Sequence, residues 1–387
     1  MEIDKAYEGR EHSVVKHALL KGYLEKLLFI MGMTGIREIA YVDCFSGPYQ
    51  DERKDIQATS IAISLGILNK VREDLKIQGK YITVRAIYVE KKKSSYNRLK
   101  EYLDGHCPDG IQAFSIHGDY AEKTDEILRR CGSNSFAFFF VDPLGWTDVG
   151  IPRLGKLLNR PKSEFLITFM YAHLNRFVNK TELREQVNEM LGTLSDEEYQ
   201  KIQSFSPKDR EEFIVQKYRE QIKEAMGSDG TRRSRTYSTI VKDKDKERTK
   251  YHLVYGTRHW KGIVEFATQS DKAELIQRVV RIQVKQNANP NRSLFEPEEE
   301  AEHFGDGKVD IEEVKQYWLK ELKDKPMICD GEKLADMLED TGWLISDLDA
   351  AFMALQADGK VVNMDAQKKR SKHPIDFKKG ELLRRLI

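Results

Sequence analysis

Four acids, Asp43, Glu90, Asp119 and Asp142, each stand at the end of a short apolar run, and each run precedes a stretch with helical spacing. If the runs are parallel strands joined by helices, their carboxyl ends lie along one edge, and carboxylates from distant parts of the chain meet in one crevice. Such a gathering is costly unless a cationic or hydrogen-donating ligand sits among the acids. The turn Asp43-Cys44-Phe45-Ser46-Gly47-Pro48 adds a glycine at which backbone approaches a ligand closely. The fourth acid opens Asp142-Pro143-Leu144-Gly145-Trp146.

A dinucleotide requires a pyrophosphate cradle, usually three glycines. This turn has one glycine followed by proline, which lacks a donor N–H. No P-loop pattern occurs either. S-adenosylmethionine suits the acids better: its ribose hydroxyls meet Glu90, its adenine amino group Asp119 and its amino end Asp43, with Phe45, Gly47 and Tyr120 beside them. The sulfonium makes an acidic crevice an advantage. Asp142 and Pro143 then stand where the methyl leaves. Amino methyltransferases of nucleic acids carry Asp/Asn-Pro-Pro-aromatic there, in which acid or amide and a carbonyl accept the target NH₂ hydrogens and the ring stacks on the extruded base. Here Leu144 replaces the second proline and the aromatic arrives one place late as Trp146; Tyr171 is a second stacking candidate. Cys44 reads as a small buried hydrophobe, not a nucleophile.

The elements that must position these residues follow from periodicity. Apolar runs over 39–44, 81–90, 111–116, 136–141 and 164–170 alternate with helical spacing over 59–73, 91–103, 121–130 and 149–158, which predicts an α/β, doubly wound parallel sheet. A helix over 10–31 precedes them. Its His12 and Lys16 are four apart and share a face, either a solvated one or one aimed at a pocket mouth. Strands over 236–241 and 251–255 flank the charged turn 242–248 and predict a hairpin, the antiparallel pair that distinguishes methyltransferase sheets from dinucleotide-binding ones.

With these motifs in order, the chain resembles the three-Cys-motif partner proteins, a bacterial family with a class I methyltransferase-like, Rossmann-like domain. The likeness runs over roughly the first 270 residues through Asp43-Cys44-Phe45-Ser46-Gly47-Pro48, Ser60, Val89-Glu90, Gly118-Asp119 and Val141-Asp142-Pro143-Leu144-Gly145. Tyr49 stands where the family usually has a further glycine. The resemblance implies a protein partner of the cysteine-motif type. A narrower likeness, His12-x-x-x-Lys16-His17, is to the 23S ribosomal RNA adenine-N6 methyltransferases; it implies that Lys16 and His17 border the cofactor or target base, and that the substrate is RNA or DNA.

Lys and Arg number 64 against 63 Asp and Glu, so any nucleic-acid site is a local patch. The four cysteines lack metal-ligand spacing, which predicts no structural metal and suits a reducing cytoplasm. No apolar run is long enough to span a bilayer. The expected domains are a methyltransferase-like unit over 1–285 with a helical insertion at about 175–230, a linker over 286–308, and a small α+β domain over 309–387. In the insertion, 211–226 is amphipathic through Phe213, Ile214, Tyr218, Ile222 and Met226. Arg232, Arg233 and Arg235, with Arg176 and Lys180, form either a phosphate patch or a solvated basic surface. In the tail, helices over 311–322, 332–338 and 347–355 followed by strands over 360–364 and 375–377 give the winged helix-turn-helix order. Asp349, three residues after Ser346, reads as a capping partner. The would-be recognition helix has no Lys or Arg, which turns the tail domain toward protein docking, with its basic wing the alternative contact for a nucleic-acid backbone.

Overall fold

The computed structural model describes residues 7, 11–47, 59–288, 296–303, 309–368, 370 and 372–386. The chain forms two compact units, Glu2–Arg258 and His259–Ile387.

The first unit is built on a seven-stranded mixed sheet: β1 Glu38–Asp43, β2 Thr83–Glu90, β3 Ile111–His117, β4 Phe136–Val141, β5 Ser163–Phe169, β6 Arg235–Lys242 and β7 Thr249–Thr257, in the spatial order β3-β2-β1-β4-β5-β7-β6. The first five strands are parallel, and β7 runs antiparallel to both β5 and β6. Every side chain of β4, Phe-Ala-Phe-Phe-Phe-Val, is buried, as a central strand covered on both faces requires. The expected alternation is present: α1 His12–Met33, α2 Ser60–Ile77, α3 Lys93–His106, α4 Thr124–Cys131 and α5 Ile151–Leu158. Gly32 permits the close passage of α1 over α2, since a Cβ there would run into Leu75. The middle of α1 is pinned to the sheet by Tyr23, whose hydroxyl bonds Glu164 at 2.7 Å and Tyr255 at 2.5 Å; Thr257 completes this buried group by donating to Glu164 at 2.9 Å.

The insertion consists of α6 Tyr171–Phe177, α7 Arg184–Leu191, α8 Asp196–Ser204 and α9 Pro207–Met226. Helix α9 buries the anticipated Ile214, Tyr218, Ile222 and Met226. Tyr218 stacks on Phe169 of β5 at 4.2 Å between ring centroids and donates to the Val149 carbonyl at 2.9 Å. The predicted hairpin is β6 and β7.

The second unit contains α10 Trp260–Ala288, α11 Pro297–His303, α12 Ile311–Glu321, β8 Met327–Cys329, α13 Gly331–Thr341, α14 Ile345–Ala357, β9 Val361–Asn363 and β10 Glu381–Arg385. Its three strands form an antiparallel sheet in the order β8-β10-β9. The three short helices stand where expected, with Trp318 buried against Phe352 at 5.1 Å and donating to the Leu348 carbonyl at 3.0 Å.

Several expectations are corrected. The first domain was expected to reach 285, but the units divide at Arg258/His259, because α10 belongs to the second: Trp260 packs where Gly331 has no Cβ, and Asp271 accepts from Ser346 at 2.5 Å. The expected linker over 286–308 holds the last turn of α10 and all of α11, whose first-turn acids Glu298, Glu299 and Glu300 suit a helix N-terminus; 289–295 and 304–308 lie outside the described residues. No strand forms over 375–377, because Asp376 closes a turn by accepting from Lys378 at 3.1 Å; the strand is β10 instead. Nor does Asp349 cap α14. Asp347 accepts from the Leu344 N–H at 3.1 Å, and Asp349 pairs with His373 at 2.9 Å. Among the described residues no helix is long and apolar enough to cross a membrane.

Candidate functional site

Because β1 to β5 are parallel, Asp43, Glu90, Asp119 and Asp142 arrive at one edge of the sheet. A cavity of about 230 Å³ opens there, and Phe45, Gly47, Glu90, Asp119, Tyr120 and Asp142 are all on its wall. Three of the four expected carboxylates, from the end of β2, the turn after β3 and the residue after β4, therefore face one space; Asp43 is not on its wall.

Asp43 lies beneath the cavity, fully buried. Its carboxylate accepts from the Phe45 N–H at 3.0 Å and from Ser60 at 2.7 Å, which ties the β1 turn to the start of α2. Burial pushes its carboxyl up to about 6; Ser60 and the Phe45 N–H oppose that, Asp142 adds to it and Lys16 also opposes it. At Gly47 the close neighbour is a side chain of the protein itself, because a Cβ there would strike the Glu90 carboxylate. Glu90 in turn accepts from the Lys92 N–H at 2.5 Å, so its side chain is held over the turn. Pro48 and Tyr49 lie outside the described residues.

Asp119 is already engaged. Arg153 of α5 bonds both of its oxygens at 2.7 Å, Lys91 approaches at 3.0 Å and the Ala121 N–H at 3.0 Å. Burial alone would raise its carboxyl; these partners, Arg153 first, hold it below the usual range. Arg153 also lies over the Tyr120 ring at 5.6 Å, and Tyr120 packs on Phe45 at 5.1 Å while donating to the Asp148 carbonyl at 2.5 Å. Arg153, Lys91 and Asp148 were not picked out from the sequence. Lys91 follows Glu90 directly and was within reach; Arg153 sits 34 residues from its partner and carries no local signal.

Lys16 is not on the cavity wall, but its ammonium pairs with Asp142, to which it comes from 126 residues away. His17 is turned aside: it is buried, with Nδ1 3.0 Å from the Tyr7 hydroxyl and its ring against the Tyr7 ring at 5.6 Å. His12 also leaves Lys16 for a different neighbour, Lys250, 3.0 Å away.

The expected stacking residue is not at the surface. Trp146 is buried, 8% exposed, and lies parallel to Phe177 with centroids 6.3 Å apart. Leu144, 74% exposed, occupies the cavity rim instead. Pro143 is buried and restrains Asp142 to extended backbone. Tyr171 is buried edge-on to His252 at 5.9 Å. Cys44 is a buried thiol raised well above its usual range by burial and by Asp43, as a packing residue should be. The arginine patch does not assemble: Arg235 pairs with Thr257 at the end of the hairpin where β5 begins, whereas Arg176 follows the end of β5.

The cavity is smaller than the roughly 300–1,000 Å³ of small-molecule pockets. Its wall combines the glycines Gly47 and Gly118, the Glu90 carboxylate held by one backbone N–H, and the apolar ring of Phe45.

No protein-family model and no curated protein matches the chain. Among solved structures the chain is similar to a loganic acid methyltransferase with SAH, at 12% identity and a TM-score of 0.31, over 74% of this chain and 92% of that one.

Proposed function

We propose that the first unit is an S-adenosylmethionine-dependent methyltransferase acting on the amino group of a nucleic-acid base, with a protein partner of the cysteine-motif type, and that the second unit is a winged-helix-like docking module. The observation that carries this reading is the meeting of Glu90, Asp119 and Asp142 on one cavity beside Gly47.

Glu90 would hold the ribose, Asp119 the adenine amino group and Asp43, from beneath, the charge of the amino-acid arm. The cofactor supplies an electrophilic methyl group. Asp142 would accept an N–H of the target amine, leaving the nitrogen lone pair free to attack. Before it does so, Lys16 must give up its hold on the same carboxylate.

A second reading, a non-catalytic partner subunit with an inherited sheet, is favoured by Lys16 on Asp142, Arg153 on Asp119 and Trp146 in the core. Calorimetric titration with S-adenosylmethionine and S-adenosylhomocysteine separates them. The proposal expects binding by the wild type and its loss in Glu90→Ala and Gly47→Ala. Tritiated methyl transfer to total RNA and DNA, abolished by Asp142→Ala, then tests catalysis; cofactor binding without transfer leaves the second reading.

A further inference from the structure

Strand β7 runs back against β5, with His252 opposite Phe169, and so delivers Lys250 to the edge where β4 and β5 end. There the Lys250 ammonium lies 3.0 Å from both ring nitrogens of His12, and it forms no ion pair with a carboxylate among the described residues. The acids around it already have cations. Asp142 holds Lys16, Glu11 holds Lys244 at 3.0 Å, Asp243 holds Arg248 at 2.8 Å and Glu211 holds His252 at 2.8 Å. From α6, Arg176 adds to the same positive field, and burial, Arg176 and Lys250 together push the His173 imidazole toward its neutral form. Arg176 also has no ion pair among the described residues.

A half-buried lysine against an imidazole, whose nearest acid, Asp243, is already paired with Arg248, keeps charge that a further anion would offset. Burial, then Lys250 and Lys16, push His12 down to about 4, so the ring is neutral at physiological pH and the excess charge rests on Lys250 and Arg176. An anion placed among these groups would relieve the repulsion. Its position is also informative. The Tyr251 ring lies 6.1 Å from the His12 ring and 5.9 Å from the Lys16 ammonium, so the cluster adjoins Asp142 across one turn of α1.

We propose that Lys250, His12, His173 and Arg176 form a phosphate subsite that holds the nucleic-acid backbone next to the base presented to Asp142. The inference rests on the nucleic-acid reading above and names its backbone contact. An extruded base brings its own phosphodiester with it, and a lysine and an arginine flanking an imidazole supply the charge and donors that such a group takes.

The test is fluorescence anisotropy of the full chain with a labelled short single-stranded RNA and its DNA counterpart over a series of salt concentrations. Lys250→Ala and Arg176→Ala should each weaken binding about tenfold and lower the log–log salt slope by ~1, while Lys250→Arg retains both. Whether RNA, DNA or both respond names the source of the phosphate. No binding of either strand by the wild type, or affinity and slope untouched by both alanine substitutions, overturns the proposal. Titration of the same proteins with S-adenosylmethionine reads the cofactor cavity separately, so a protein that binds the strand but not the cofactor would overturn the methyltransferase reading alone.

Discussion

Lys16 in the first full turns of α1 and Asp142 at the end of β4 form an ion pair in which the lysine side chain is 11% and the aspartate 23% exposed. The pair joins the helix that precedes the sheet to the strand at its centre, and it occupies the acid best placed for chemistry.

Removing one partner should therefore cost more than removing both. Lys16→Met is expected to lower stability at neutral pH by about 1–3 kcal/mol, because it leaves Asp142 facing the buried Asp43. Lys16→Met/Asp142→Asn should recover much of that loss. Urea unfolding of the four proteins measures the coupling; strictly additive losses would mean that the two side chains are neighbours without interaction.

Asp43 gives the first unit a defined response to pH. Its folded carboxyl titrates at about 6 against 3.8 in the unfolded chain, so the folded form binds the proton more tightly. The resulting stability is present below pH ~4 and is lost as pH rises toward 6, a change of about 3 kcal/mol. Asp43→Asn keeps an acceptor for the Phe45 N–H and cannot titrate. The difference in unfolding free energy between wild type and variant should then vary across pH 4–6 in that direction, and a constant difference would contradict the burial argument.

The positions of Trp146 and Leu144 predict opposite consequences for stability. Trp146→Ala should cost about 3–5 kcal/mol, as the loss of a packed core ring does. Leu144→Ala should stay within about 0.5 kcal/mol, since its side chain lies mostly in water. Thermal melts decide it: an unchanged midpoint for Trp146→Ala would put that ring back at the surface.

Much of the sheet was legible because buried parallel strands are continuous apolar runs, and Phe136 to Val141 admits no other place than the centre. The acids at the strand ends were legible for the same reason. Whether a carboxylate is vacant or taken was not, since Arg153 and Lys16 reach theirs from remote segments. Trp146 was misplaced because spacing along an irregular turn does not say which way a ring faces, and Phe177, its stacking partner, comes from the insertion. In the second unit, three-residue strands such as Met327–Cys329 are too short for alternation to register. The apolar Ile375 and Phe377 look like a strand but are buried in a turn.

Tyr23 lies seven residues after Lys16, about two helical turns along the same side of α1. A roll of the whole helix that withdrew Lys16 would also tear the Tyr23 hydroxyl from Glu164 and Tyr255. Uncovering Asp142 would thus require only bond rotations within one lysine side chain, and not the slower swing of an entire element.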